Sequence, residues 1–160
     1  MHTVAGALLA VAAAPSFSHG TLIDPISREY FCKTVDNPEN PQTAGCKAAQ
    51  LINGSQQFYD WQANVQGGHH DGEAGHKIVV PDGKICAGGK ESMRGLDAIA
   101  EWVATPVTPN AEGKVKLTYL QTAGHVTNYF KTYITNNNYD FSRPITWSDL
   151  INRVLIGPDI

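Results

Sequence analysis

The chain has 160 residues, 42% of them hydrophobic and 17% charged, with a formal charge of −3 at neutral pH. That length suits one domain with a core of its own and is short for two. The acidic balance, with no cluster of Lys and Arg, argues against a nucleic-acid partner, which would need a basic face. In chain order, the first element is a secretory signal peptide over Met1 to Ser18. Val4 to Ala14 is an uninterrupted run of small apolar residues, and Ser16 and Ser18 are small at both positions a signal peptidase inspects. The run is far short of the roughly 20 residues a membrane-spanning helix needs. A secreted, extracellular, soluble protein with no membrane partner is the expectation. Cleavage after Ser18 makes His19 the first residue of the remaining 142.

From His19 to Gly89 the sequence reads as loop. Asp36-Asn37-Pro38-Glu39-Asn40-Pro41 is turn chemistry, and its two prolines cannot sit inside a helix or a central strand. Gly67-Gly68-His69-His70-Asp71-Gly72 and Pro81-Asp82-Gly83 are further breaks. Glu91 to Val103 allows a short helix, with Met93, Leu96, Ala100 and Val103 on one face and Gly95 weakening it. Val115 to Tyr119 alternates apolar and polar residues, and Asn128 to Thr135 is dense in aromatic and β-branched types; both predict strands. Thr146-Trp147-Ser148-Asp149 resembles an acidic capping box and predicts a short helix over 150–155. Long loops with a few strands suggest a β-sandwich that carries its function on its loops. Of the three cysteines, Cys32, Cys46 and Cys86, two can pair in an oxidising compartment. The third then remains as a thiol, an intermolecular bridge or half of a pair whose partner is missing.

A mature N-terminal His19 offers two nitrogens on one residue, the α-amine and the ring Nδ1, close enough to chelate one metal ion. Nitrogen-rich sites suit Cu(II). The residues around it sharpen this. His19-Gly20, then Pro25-x-Ser27-Arg28 and Cys32, are followed by Tyr59-Asp60-Trp61-Gln62 with Val65-Gln66-Gly67. Next come Pro81 to Gly89 with Gly95-Leu96-Asp97, and Thr122-Ala123-Gly124-His125-x-Thr127 running into Tyr133-Ile134-Thr135. In this order the blocks resemble the copper-dependent lytic polysaccharide monooxygenases of the chitin-binding type, auxiliary-activity family ten.

The resemblance implies an all-β, immunoglobulin- or fibronectin-like sandwich with a large loop region and short helices. Residues 19–160 would form the catalytic domain. The family continues for several more strands, which carry an axial aromatic beside the copper and often a cysteine, so the final strands are expected to be missing here. By the same resemblance His19 (amine and Nδ1) and His125 (Nε2) hold one copper ion, and Ala123 is the small residue crowding an axial position. The amine must be deprotonated to bind; its ordinary pKa of about 7.7–8.0 makes binding weaken in acid.

Gln66 stands where the family often has a Glu that helps hold the oxygen co-substrate; a solvated loop glutamine is the alternative. Tyr59 is expected at the surface, stacking on sugar rings. Trp61 is either a second platform or core packing, the commoner fate of Trp. Cys32 and Cys46, flanking the Pro-rich loop, are expected to pair, and Cys86 to belong with a cysteine beyond residue 160. The implied activity is oxidative cleavage of glycosidic linkages in crystalline polysaccharide, chitin before cellulose, by a monomer. It uses an external reductant and O2 or H2O2. A non-catalytic carbohydrate-binding protein is the second reading. An exported copper carrier is the third, ranked last because Met1 and Met93 are the only methionines. The loop histidines His69, His70 and His76 lack a fixed metal geometry, and Asn53-Gly54-Ser55 is a short glycosylation sequon.

Overall fold

The computed structural model of the chain describes residues 19–63, 72–105, 107–122, 130–136, 139–140 and 142–156. Its strands form two antiparallel pairs: β1 (Gly20–Asp24) with β2 (Thr118–Gln121), and β3 (Phe130–Thr135) with β4 (Leu150–Ile156). The strand expected over 115–119 is therefore present but displaced toward the C-terminus, because β1 pairs Gly20 with Gln121 and Asp24 with Thr118. The strand expected over 128–135 is described as β3.

Between β1 and β2 the expected loop is largely helical, which corrects the sequence reading. It contains α1 (Arg28–Thr34), α2 (Ala44–Asn53), α3 (Gln56–Tyr59) and α4 (Gly72–Val79), with a 3-10 helix over Trp61–Ala63. Pro38 and Pro41 lie between α1 and α2, Pro81 and Gly83 lie just after α4, and Gly72 is the first residue of α4. In α2 the good helix formers Lys47, Ala48, Ala49, Gln50 and Leu51 run uninterrupted by proline or glycine, and Gly45 falls in the first turn. The helix ends at Gly54, whose φ of 73° is the left-handed conformation glycine tolerates.

A disulfide between Cys32 and Cys46, Cα atoms 5.6 Å apart, ties α1 to α2. Around it Ala49, Phe58, Ala87, Met93, Leu96 and Trp102 close a core, so the hydrophobic core of the described residues lies between β1 and β2. The helix expected over 91–103 is a 3-10 helix confined to Glu91–Asp97. Gly95 within it lies so close to α2 that a Cβ would stand 2.6 Å from the Ala49 carbonyl oxygen.

The C-terminal helix is a second correction. The capping box at Thr146 and Asp149 is formed, but it caps one 3-10 turn, Trp147–Asp149, and the chain then extends as β4. Leu150-Ile151 and Val154-Leu155-Ile156 are rich in β-branched residues, and pairing with β3 satisfies the backbone groups that the short helix expected over 150–155 would have paired internally. Trp147 joins the halves of the molecule. Its backbone N–H donates to Asp82, its ring N–H donates to the Val80 carbonyl (2.7 Å each), and its ring meets Tyr133 edge-on at 5.6 Å.

Candidate functional site

His19 precedes β1 directly and is half-buried. Its carbonyl accepts two hydrogen bonds from Thr122, one from the backbone N–H at 2.9 Å and one from the hydroxyl at 3.2 Å. The next residue shows how tightly this end of the sheet closes. A Cβ on Gly20 would collide with the Leu120 carbonyl oxygen and stand 2.6 Å from the Tyr119 ring. Glycine is the residue that lets β1 approach here.

The rest of the first sequence block is scaffold for that strand. Ser27 donates its backbone N–H to the Leu22 carbonyl at 3.0 Å, and its hydroxyl meets that of Thr21 at 2.6 Å. The buried Thr21 hydroxyl also donates to the buried Glu29 carboxylate at 3.2 Å. Arg28 donates to the Leu96 carbonyl at 2.7 Å and lies over the Trp102 ring at 4.5 Å, fastening β1 and α1 onto the helical core.

Tyr59 and Trp61 part company. Tyr59 is 41% exposed, and its hydroxyl donates to Glu39 at 2.8 Å. That hydrogen bond is the main reason the phenol is raised above its ordinary pKa, with desolvation and the carboxylate's charge adding to it. Trp61 is buried at 8% exposure, its ring edge-on to Tyr30 at 5.0 Å and under the Lys33 ammonium at 5.3 Å. The surface-platform alternative for Trp61 is corrected to core packing, because its 3-10 helix packs against β1.

Gln66, Ala123 and His125 lie outside the described residues, as do His69 and His70. His76 sits on α4, its ring edge-on to Trp147 at 5.5 Å, so it is a helical residue packed on an aromatic. The block ending in Asp97 is also structural. The Asp97 carboxylate accepts backbone N–H groups from Cys86 at 2.8 Å and Ala87 at 3.1 Å, folding the Pro81–Gly89 segment onto the core. Cys86 carries a thiol, which burial pushes up to about 11.

Two residues with roles at these surfaces escaped the sequence reading. Asn53 donates its side-chain nitrogen to the Glu91 carbonyl at 3.2 Å and accepts the Gly95 N–H at 2.6 Å, joining α2 to the 3-10 helix. That engages the nitrogen a glycan would need. Glu39, between two prolines of a loop assigned only as turn, is the partner of Tyr59. The one signal that could have found it is an acidic residue in a short span closed by two cysteines.

Two antiparallel strand pairs, with a helical insertion after the first strand and a histidine at its head, have the β-sandwich architecture of the solved structures that this chain resembles. The chain belongs to the lytic polysaccharide mono-oxygenase family described as cellulose-degrading, whose model matches residues 19–156. It is 41% identical over 134 residues to the chitin-binding protein CbpD of Pseudomonas aeruginosa, a match covering 83% of this chain. The chain spans about a third of the length of that relative (33%). Among solved structures it is similar to a lytic polysaccharide monooxygenase important for efficient utilization of chitin in Cellvibrio japonicus. The identity is 36% and the TM-score 0.72, covering 88% of this chain and 74% of that one. It is also similar to ScLPMO10B in complex with zinc, at 31% identity and a TM-score of 0.68, covering 87% of this chain and 76% of that one. No helix among the described residues is long and apolar enough to cross a membrane.

Proposed function

We propose that the chain is the catalytic domain of an exported copper monooxygenase that cleaves crystalline polysaccharide oxidatively, chitin before cellulose. The observation that carries this is the double hydrogen bond from Thr122 to the His19 carbonyl. It anchors residue 19 beside residue 122, and three residues of chain, a reach of at most about 11 Å, lead on from there to His125. Signal-peptide cleavage after Ser18 then frees the His19 amine. That amine, the His19 Nδ1 and the His125 Nε2 are a donor set that fits copper. When bound, the ion cycles between Cu(II) and Cu(I) and activates O2 or H2O2 with electrons from an external reductant.

The chain's own residues supply the setting. Gly20 draws the strand tight enough to hold His19 at the sheet's edge, where a flat insoluble substrate can reach it. By the resemblance, Ala123 would crowd the bound ion without offering it a donor atom, Gln66 would offer an amide to the oxygen co-substrate, and Tyr59 would offer a ring face to a sugar. Chitin leads because CbpD is named for binding it and the Cellvibrio japonicus enzyme for its utilization. The protein acts as a secreted monomer.

The test has two parts. N-terminal sequencing of exported protein should begin at His19, and calorimetry should find one Cu(II) bound, weakened by orders of magnitude in His125→Ala. β-Chitin with copper and ascorbate should then release oligosaccharides with aldonic-acid ends. A start at Gly20, or unchanged affinity in His125→Ala, would end the copper-site assignment. CbpD's name favours one rival, a non-catalytic chitin-binding module; retention on chitin with no oxidised ends from copper-loaded protein would select it.

A further inference from the structure

We propose that Glu39 is a positioning residue for Tyr59: it fixes the exposed phenol ring in the orientation that meets a polysaccharide surface, and the disulfide-closed loop is built to deliver it. The inference rests on the reading of Tyr59 as a sugar-stacking residue. The Tyr59 hydroxyl donates to one Glu39 oxygen at 2.8 Å, and the Ser55 hydroxyl donates to the other at 3.2 Å. A tyrosine held at its Cβ by the backbone and at its hydroxyl by a carboxylate has lost the rotation that an exposed ring otherwise keeps. Against a flat, rigid crystal face that matters, because a ring ordered before contact leaves less entropy to lose on binding.

The loop around Glu39 is itself over-determined. Its ends are joined through Cys32 and Cys46. Asp36 accepts the backbone N–H groups of Asn37 and Gln42 (2.8 Å each) and of Thr43 (3.0 Å), and the Thr43 hydroxyl at 2.6 Å. The Asn37 side chain accepts the N–H of Glu39 itself at 3.0 Å, and Gln50 donates to the Pro38 carbonyl at 2.8 Å. The backbone is thus tethered at Glu39 and at the residue before it. Each Glu39 oxygen also keeps a second lone pair for a sugar hydroxyl or an acetamide N–H.

The experiment is a set of binding isotherms on β-chitin particles for wild type, Y59A, E39A, E39Q and E39A/Y59A, with a thermal melt of each. Y59A should weaken binding about 10-fold. E39A should weaken it about 3- to 5-fold, the scale of one hydrogen bond, with the melt nearly unchanged. Gln at position 39 can still accept from the tyrosine hydroxyl, so E39Q should retain most of the affinity. The double variant should be no weaker than Y59A alone, because Glu39 acts through the ring. The phenol of Tyr59 should also ionise at lower pH in E39A, read by ultraviolet difference titration against Y59F.

Equal losses from E39A with and without Tyr59 would overturn the proposal, as would unchanged binding in E39A when Y59A is weakened. In that last case the stacking role of Tyr59 stands and only the role of Glu39 falls. Unchanged binding in Y59A removes both.

Discussion

At Cys86, burial raises the thiol to about 11; the Arg28 guanidinium opposes the shift, and the Asp97 and Glu29 carboxylates add to it. Thiolate is the reactive form, so alkylation of Cys86 by iodoacetamide at pH 8 should be about 100-fold or more slower in native protein than in urea. A time course by intact mass reads this directly, and equal rates would mean the thiol is not buried as described. Asn53 makes a different kind of claim. Asn53→Ala removes two hydrogen bonds between α2 and the 3-10 helix over Glu91–Asp97 and leaves the Gly95 N–H without its acceptor. The expected loss is about 1–3 kcal/mol in urea denaturation. Single residues were the hardest scale to read from sequence. Tyr59 and Trp61 stand two apart in adjoining short helices, and that offset alone sends one outward and the other under Lys33.

Among the elements, the link between α1 and α2 has the clearest energetic consequence. Cys32 and Cys46 are 14 residues apart, and a cross-link of that span stabilises by about 3 kcal/mol in the chain-entropy model. C32A/C46A should lower the denaturation midpoint accordingly, and a change below about 1 kcal/mol would show that the hydrogen bonds of Asp36, Asn37 and Gln50 hold the loop without the cross-link. At the other end, Asp149 receives the Arg143 guanidinium, with Nη1 at 2.8 Å, and the Thr146 N–H at 2.8 Å. Asp149→Asn should lower the melting temperature and selectively speed amide exchange in Leu150, where β4 begins opposite Thr135. The strands β2 and β3 were legible because alternation and β-branching leave a local trace, whereas β1 lies in a stretch that read as loop. The helices of the insertion were not: α1 and α3 are shorter than the window over which a 3.6-residue period declares itself. β4 was misread for the opposite reason. Its capping box is genuine, but the box specifies only the turn that follows, and tertiary pairing decides the rest.

For the molecule as a whole, pH acts through several carboxylates at once. Partial burial pushes Asp36 up, but the Thr43 hydroxyl and the backbone N–H groups of Thr43, Gln42 and Asn37 outweigh it and hold the carboxyl at about 2. Asp149 is lowered too, chiefly by Arg143 and Thr146. Groups with depressed folded pKa values stabilise above the unfolded value near 3.9, and that contribution is lost as pH falls toward the folded value. Asp97, raised by desolvation, opposes the trend. The melting temperature should therefore fall between pH 5 and about 2, with a shallower slope in Asp36→Asn. The candidate site was legible as an order of blocks, since each spans few residues, while the work of Ser27, Arg28 and Asp97 as fasteners needed the fold to be seen.

The pairing of β1 with β2 also sets an order in time: β1 begins at Gly20 and its partner ends at Gln121. A chain emerging N-terminus first must carry its opening strand unpaired until that partner arrives, while α1, α2 and their disulfide can close on nearby contacts. His19, at the head of that strand, is then made early and set in place late.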